Sequence, residues 1–406
     1  MFIPTAPVIP KFVKEFLLNP VFEHPKINFR GIPYLQFLQK EFNNIDTAFD
    51  KLQKKINAKY PFFLLQNPNS LLARVVNQRT VVKQICDDII TALSIFFSTN
   101  PSAPYKLLGS QSYKIIEARL NSLANHIDVL TSQVLYKDNV LLQSLYKMRK
   151  CSLKSRLYSP KQMFHIPLDK RHLCSTMRFS IPEKPALYLA NNLFICADEI
   201  NARNINRNVQ AARFQMCDKI RVLNFAYDNR KASNWAEHDI GSSELNDLVI
   251  AWLLLYPFAL ASAVRRYEAL TVNGVAPEYV LPQLLMEYVV YNKNAKLDGI
   301  RYISTKVLSL DSHINFYACW AFPSKSEKKR GYDPTLCKKF RVTKGVRIPC
   351  RYQNKIDSRI ISEKIRNTKT LAKKVGFVDY ISSDVTKMFA DVESRLFKRK
   401  VKKIHP

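Results

Sequence analysis

Residues 174–201 read CSTMRFSIPEKPALYLANNLFICADEIN, and this stretch places an arginine, a tyrosine and a glutamate at intervals of ten and eleven residues. The short apolar run ALYLA after the proline-containing turn predicts a strand, and the run LFICADEIN predicts a helix. A strand–helix junction of this kind lets Tyr188 and Glu199 face one cleft. Arg178 precedes the turn and completes a set of residue types that a buried active site uses.

The composition around this stretch is that of a strongly basic globular protein. Of 406 residues, 47% are hydrophobic, and 63 Lys and Arg stand against 33 Asp and Glu, for a formal net charge of +30. The apolar fraction permits a sizeable core. The charge favours association with polyanions, such as nucleic acid, anionic lipid, an acidic protein or a phosphate-bearing small molecule.

The eight cysteines predict neither a disulfide framework nor a metal centre. No pair forms CxxC, no Cys/His cluster has the spacing of zinc ligands, and the seven histidines contain no HExxH. Isolated cysteines in a chain of this length are typical of reduced thiols in a cytosolic protein. No metal and no resident cofactor are expected.

Two segments bear on localisation, and both favour a soluble cytoplasmic protein. The N-terminal run MFIPTAPVIPKFVKEF lacks the charged, apolar and cleavage regions of a signal peptide. The apolar run 248–264 has 17 residues with Pro257 in its middle, which is fewer than the ~20 that cross a bilayer. This run is predicted to be a buried core helix, broken or kinked at the proline, and no membrane partner is expected.

The first part of the chain is predicted to be an α-helical domain over residues 1–143. Residues 34–58 place apolar side chains at alternating steps of three and four, which is the pattern of one helix face. Residues 71–97 and 111–148 are predicted to be further helical tracts.

From residue 144 the pattern changes to short apolar runs that alternate with loops and helical pieces, which predicts an α+β fold. The predicted second domain covers 144–352. Residues 353–406 are predicted to form a basic helical tail whose end, RLFKRKVKKIHP, is frayed.

Two motifs in this second domain resemble the RES-domain family, named for its arginine, glutamate and serine. The first consists of Arg178-Phe179-Ser180, the IPEKP turn, the LYLA strand and Glu199. The second is VLPQLLMEYVVYNKNAKLDGIRYIS, a helix opened by Pro-Gln and then a GI-x-Y-x-S strand that supplies Ser304. The match covers roughly 144–350 and is similar to the longer branch of the family, with an N-terminal extension.

This resemblance implies an ADP-ribosyltransferase-like mixed β core and an enzyme that consumes NAD by breaking its bond to nicotinamide. RES-domain proteins are mostly toxins of toxin–antitoxin pairs, and a small DNA-binding antitoxin inhibits them. NAD would be a substrate of such an enzyme rather than a resident cofactor.

The residue types suit that chemistry. Cleavage of the nicotinamide–ribose bond passes through an oxocarbenium-like transition state, which the carboxylate of Glu199 would stabilise. The guanidinium of Arg178 would bind the diphosphate with two hydrogen bonds. The ring of Tyr188 would stack on nicotinamide and fix its orientation.

Four further residues are predicted to bind substrate. Ser304 would hydrogen-bond the nicotinamide amide or a phosphate. The family has an arginine where this chain has Lys147; either Lys147 contacts phosphate as a point charge, or Arg149 or Arg156 replaces it. His165, in MFHIP, would line the pocket.

Other functions stay open at this point. ADP-ribose transfer to a macromolecule uses the same site. A basic nucleic-acid-associated protein with a degenerate RES region is favoured by Lys147 and by the IPEKP turn. Arg119 and His126 have the spacing of a HEPN ribonuclease motif, although two residues on one exposed helix face give the same pattern. The acceptor of ADP-ribose, the use of NAD or NADP and the oligomeric state are also left open.

Overall fold

The computed structural model describes residues 8–22, 27–28, 33–98, 109–132, 144–151, 157–200, 209–227, 229–237, 243–266, 276–306, 317–348 and 384–406. The α-helices within these ranges are α1 (Val8–Leu17), α2 (Tyr34–Lys59), α3 (Phe63–Gln66), α4 (Leu71–Asn77), α5 (Arg79–Ser98), α6 (Gln111–Ser122), α7 (Ala124–Ser132), α8 (Pro160–Met163), α9 (Leu193–Glu199), α10 (Asn229–Glu237), α11 (Ser243–Ser262), α12 (Pro277–Tyr291), α13 (Pro334–Lys339) and α14 (Asp384–Phe397). Two 3₁₀ helices cover Pro20–Phe22 and Leu168–Leu173.

The strands are β1 (Ile27–Asn28), β2 (Ser144–Lys150), β3 (Ala186–Ala190), β4 (Val209–Met216), β5 (Val222–Asn224), β6 (Arg265–Arg266), β7 (Gly299–Ile303), β8 (Ala318–Pro323), β9 (Phe340–Thr343), β10 (Val346–Ile348) and β11 (Val401–Lys403). Helices and sheet strands together make the protein α+β, as predicted.

The chain divides into two compact units, each built from two segments. The first unit comprises Met1–Val134 and Leu223–Ala295, and the second comprises Leu135–Val222 and Lys296–Pro406. The predicted boundaries at 143 and 352 differ from this division, because Leu223–Ala295 belongs with the helical unit. Helices that are apolar all round, as α11 and α12 are, bury themselves among other helices rather than on one face of a sheet.

Helix α11 forms the core of the first unit. Fifteen consecutive residues, 248–262, are buried, and the helix runs through Pro257 instead of breaking there. Tyr34 Oη donates to Ala261 O at 2.8 Å and Tyr256 Oη donates to Val21 O at 2.9 Å. Among the described helices α11 alone is long and apolar enough to cross a membrane, yet 83% of its most apolar window is buried, which is the burial of a core helix.

The predicted N-terminal helices are confirmed except at the end of the third tract. Helix α2 covers 34–58, and α4 and α5 together cover 71–97. The tract 111–148 is wrong at residues 144–148, which lie in strand β2, and residues 133–143 lie outside the described residues. Strand β2 pairs with β4 over its whole length, from Ser144 opposite Gln215 to Lys150 opposite Val209. That pairing is non-local, and helical periodicity does not reveal it.

The second unit contains an antiparallel sheet in the order β11-β9-β4-β2-β3-β8-β7, with β10 also paired to β4. Strand β5 lies where the chain passes between the two units. Helices α9 and α14 belong to this unit, and the Cys196 thiol of α9 donates to Tyr146 O of β2 at 3.3 Å.

The predicted fraying of the last residues is wrong, because residues 401–403 form strand β11. Val401 lies opposite Thr343 and Lys403 lies opposite Arg341, so β11 extends the sheet by one strand. Ile404 is buried. The edge of β9 offers unpaired backbone groups, and the basic terminal segment satisfies them. The predicted helical tail is confirmed over Asp384–Phe397.

Candidate active site

Glu199 and Ser304 meet although 105 residues separate them in the sequence. Glu199 is the last residue of α9, a helix capped by Asn192, whose side chain accepts the Ile195 N–H at 2.9 Å. Ser304 is fully buried just after β7. Its hydroxyl donates to Glu199 Oε1 at 2.5 Å and accepts the Lys306 N–H at 3.2 Å. The serine therefore orients the carboxyl group of the glutamate.

Tyr188 connects strand β3 to the segment that carries Arg178. Its phenol donates to Phe179 O at 2.5 Å, so the ring is fixed in one orientation. A turn at Arg178 is closed by Ser180, whose Oγ accepts the Met177 N–H at 2.7 Å and donates to Met177 O at 2.9 Å. Arg178 itself is partly exposed at this turn.

The strand register places Tyr188 on the same face of the sheet as Glu199. Directly opposed residues of antiparallel strands point to one face, and side chains alternate along a strand. Cys319 of β8 lies opposite both Ala190 and Tyr302, and Ala190 is two positions after Tyr188. The Cys319 thiol lies 3.9 Å from Glu199 Oε1. Helix α9 therefore brings its glutamate to the face that carries the two tyrosines.

Tyr302 is a site residue that the sequence analysis missed. Burial raises its pKa well above the ordinary value, and Cys319, Glu199 and Tyr188 raise it further while Arg178 lowers it. The charges of these groups therefore act on the phenol of Tyr302. Arg178, Tyr188 and Glu199 all influence the pKa of a residue that the sequence analysis had not named.

The position of Tyr302 in the sequence offered a signal. It is the tyrosine of the GI-x-Y-x-S strand, two residues before Ser304, and residues two apart share a face of a strand. Its ring packs on Phe179, with centroids 4.4 Å apart. Phe179 thus contacts both tyrosines of the site, one through its carbonyl and the other through its ring.

Lys147 and Arg149 lie on the opposite face of the sheet. Tyr146 is opposed to Ala190 and shares the face of Tyr188. Side chains alternate along a strand, so Lys147 and Arg149 point to the other face. Lys147 Nζ donates to Phe164 O at 2.8 Å. Arg149 donates to Gln162 O, and its guanidinium lies 4.7 Å from the centroid of the Tyr158 ring. The structure does not bring either cation to Glu199.

The pKa of Lys147 reflects this environment. Burial, and secondarily the charge of Arg149, lower it to about 7. A lysine with that pKa is only partly charged at neutral pH, whereas the arginine of the family pattern would always be charged.

His165 joins two loops rather than entering the site. Its ring is buried, Nδ1 donates to Ile166 O at 2.7 Å, and Nε2 accepts the Asp333 N–H at 3.0 Å. Burial lowers its pKa to about 4, so the imidazole is neutral at neutral pH. Both ring nitrogens are occupied by protein groups, which is the arrangement of a structural histidine.

The remaining predicted residues are not assembled into a second site. Arg119 Nε donates to Asp88 at 2.6 Å. Burial lowers the pKa of His126, and the charges that act on it are those of Asp247 and Arg74. Arg119 and His126 therefore have different neighbours. Arg156 lies outside the described residues, and within the described ranges no three His, Cys, Asp or Glu side chains are placed to hold a metal ion.

Comparison with known proteins gives one similarity to a curated protein. Over 205 residues the chain is 26% identical to a protein of Bacillus subtilis (strain 168) described as "Putative toxin YopC", with 49% of this chain and 45% of that protein covered. The chain thus spans about half the length of the curated relative it matches. No family model matches the chain, and no solved structure matches it.

Proposed function

We propose that this chain is a toxin of the RES-domain family that cleaves the nicotinamide–ribose bond of NAD, as a glycohydrolase or a phosphorylase. The observation that carries this proposal is that Tyr188, Tyr302 and Glu199 lie on one face of the sheet, with Ser304 hydrogen-bonded to the glutamate. The charge of Arg178 acts on Tyr302 at this site. The similarity to a protein described as a toxin supports the biological role.

Glu199 would act on the reacting ribose. Its carboxylate, oriented by Ser304, would stabilise the positive charge that develops on the sugar and would bind the ribose hydroxyls. Ser304 is fully buried and already donates to the carboxylate. We therefore assign it to positioning Glu199, which differs from the predicted contact with nicotinamide or phosphate.

The two tyrosines would form the walls for the nicotinamide ring. The phenol of Tyr188 is engaged by Phe179 O, so its ring presents a fixed flat surface to a ligand. Tyr302 is held against the ring of Phe179. A fixed aromatic surface orients the leaving group, and no mobile side chain has to lose conformational entropy on binding.

Arg178 would bind the diphosphate of NAD. Among the described cations of the predicted set, it is the one whose charge acts on Tyr302, whereas Lys147 and Arg149 donate to carbonyl groups on the other face. The guanidinium fork suits two phosphate oxygens. The burden of diphosphate recognition therefore falls on Arg178.

An antitoxin protein, DNA-binding in RES systems, is proposed to hold this activity in check. The net charge of +30 favours an acidic surface on such a partner and attracts anionic NAD. Nucleic acid would bind the same basic surface, and a transfer of ADP-ribose to a macromolecule is the second candidate function. The exposed loop residues Lys328, Lys329 and Arg330 favour a polyanionic acceptor.

The test is nicotinamide release by the purified chain. Wild-type protein is incubated with NAD, with and without phosphate, and free nicotinamide and the ribosyl product are separated by chromatography. Glu199→Ala is expected to abolish release and to leave the circular dichroism spectrum unchanged, while Glu327→Ala, at an exposed glutamate of the same unit, keeps wild-type turnover.

The products distinguish the candidates. Free ADP-ribose indicates hydrolysis, and ADP-ribose 1″-phosphate that forms only with added phosphate indicates phosphorolysis. Label retained on added protein or nucleic acid indicates transfer. Turnover by Glu199→Ala at the wild-type rate would remove the glutamate from the mechanism. Absence of nicotinamide under every condition would favour a binding protein with a degenerate RES region.

A further inference from the structure

The C-terminal helix α14 reaches the helix that carries Glu199. Glu393 of α14 is 6% exposed, and its Oε1 accepts the N–H of Leu193 at 2.7 Å across 200 residues of sequence. Leu193 is the first residue of α9, and Glu199 is the last. The first turn of a helix has backbone N–H groups without intrahelical partners. Asn192 satisfies one of them, that of Ile195, and Glu393 satisfies another.

Helix α14 is itself firmly attached to the sheet. Val392 and Leu396 are buried. The guanidinium of Arg213, on β4, donates to Ser144 Oγ at 3.1 Å and to Phe397 O at 3.4 Å, and it lies 4.9 Å from the centroid of the Phe397 ring. A carboxyl group on such a helix is a rigid support for whatever it binds.

The burial of the Glu393 carboxyl group costs free energy of folding, so its presence calls for a specific role. Burial raises its pKa to about 8, and the Leu193 N–H only partly opposes the effect. What the carboxyl group adds is direction, because it fixes one end of α9 against α14.

We propose that Glu393 is a positioning residue for the reaction, and that it sets the place of Glu199 by holding the other end of α9. The inference rests on the proposed function. Six residue steps of about 1.5 Å separate the two ends of this helix, so they are only ~9 Å apart and move as one body. A displacement of about 1 Å at a reacting group lowers the rate by roughly 100-fold.

Two nearly isosteric variants of the full chain test this. Glu393→Gln keeps an oxygen that accepts the Leu193 N–H, and Glu393→Met keeps the volume but removes the acceptor. Nicotinamide release by Glu393→Met is expected to fall at least about tenfold in kcat with KM for NAD unchanged, while Glu393→Gln stays within about threefold of wild type. If the methionine variant does not fold, Glu393→Leu takes its place.

Leu396→Ala is the matched control, since it creates a cavity under the same helix and leaves the Glu393 carboxyl group in place. It is expected to lower the melting temperature and to leave kcat unchanged. If Glu393→Met and Leu396→Ala lower kcat equally for equal loss of stability, Glu393 has only a structural role and the proposal is overturned.

Hydrogen exchange separates this inference from the proposed function. If wild-type protein releases no nicotinamide, the proposed function fails. Hydrogen exchange of the backbone amides over Leu193–Glu199 then decides whether Glu393 holds α9 in place. Faster exchange in Glu393→Met than in Leu396→Ala supports the hold on α9, and equal exchange in the two variants overturns it.

Discussion

Replacing Ser304 by alanine isolates the contact that orients Glu199. The hydroxyl is the 2.5 Å donor to Glu199 Oε1 and lies at a fully buried position. Its removal leaves the Cys319 thiol, at 3.9 Å from the same oxygen, as a weaker donor. The carboxyl group then gains rotational freedom, while Arg178 and both tyrosines keep their places.

The size of the effect follows from the type of bond lost. A hydrogen bond to a carboxylate contributes about 1.5–3 kcal/mol. If that energy holds Glu199 in its reactive orientation, its loss appears in the barrier, and each ~1.4 kcal/mol is a factor of ten in rate. Ser304→Ala is therefore expected to lower kcat by roughly 10- to 150-fold. KM for NAD is expected to stay within about twofold, since a positioning residue does not touch the ground-state substrate.

The assay is steady-state nicotinamide release over a range of NAD concentrations, with Ser324→Ala as the matched control. Ser324 is 2% exposed in the same unit and donates to the Asp333 carboxylate at 2.9 Å. Its replacement removes a serine–carboxylate bond of the same kind outside the site. Both variants are expected to lose similar stability, and only Ser304→Ala is expected to lose kcat.

The kinetic pattern decides between two roles for Ser304. A rise in KM with kcat unchanged would mean that the serine contacts NAD directly, as the sequence analysis predicted. Wild-type values of both constants in a folded Ser304→Ala protein would refute the reasoning, because Glu199 would then need no orienting partner.

Two further predictions concern charge. Arg178→Lys is expected to raise KM for NAD about tenfold with little change in kcat, because the two-oxygen contact with the diphosphate is lost; an unchanged KM would assign the diphosphate to another cation. Burial raises the pKa of Glu393 from 4.5 to about 8, so the folded chain holds this proton more tightly and the free energy of unfolding falls as pH rises through that window. Urea titrations at several pH values from 5 to 8 give the free energy of unfolding at each pH. Its fall per pH unit should be smaller by up to ~1.4 kcal/mol in Glu393→Gln than in wild type, and equal falls would contradict the shift. The neighbouring Tyr146 and Cys196 have pKa values raised by burial and then by Glu393, so they titrate above this window, and the Arg213 guanidinium beside Tyr146 does not titrate in it.

Local patterns predicted the strand–turn–helix part of the site correctly. ALYLA forms β3, LFICADE forms α9, and GIRYI forms β7, because each run has a length and an apolar pattern that fit one element. The alternation of side chains along a strand also predicts that Tyr302 lies on the same face as Ser304, two residues later. This residue was accessible from sequence once the strand was assigned.

The faces of the sheet were not accessible in the same way. Lys147 and Arg149 were assigned to the substrate site by motif, but the pairing of Tyr146 with Ala190 turns both side chains to the other face. Register is set by non-local pairing, and a shift of one residue exchanges the two faces. His165 was also assigned by motif, and its partner Asp333 lies 168 residues away, where no local pattern indicates it.

Glu199 is held from both ends of its short helix by contacts that no local pattern predicts. The separation of 105 residues between Glu199 and Ser304 includes Leu223–Ala295, which belongs to the other compact unit. Most of the sequence between α9 and β7 thus lies outside the unit that contains them both. The pairing of β7 with β8 brings the serine to the glutamate. At the other end, Glu393 comes from a segment that a resemblance covering residues 144–350 leaves out. The resemblance accounts for the groups that would meet NAD, and the C-terminal helix accounts for one of the contacts that hold the glutamate in place.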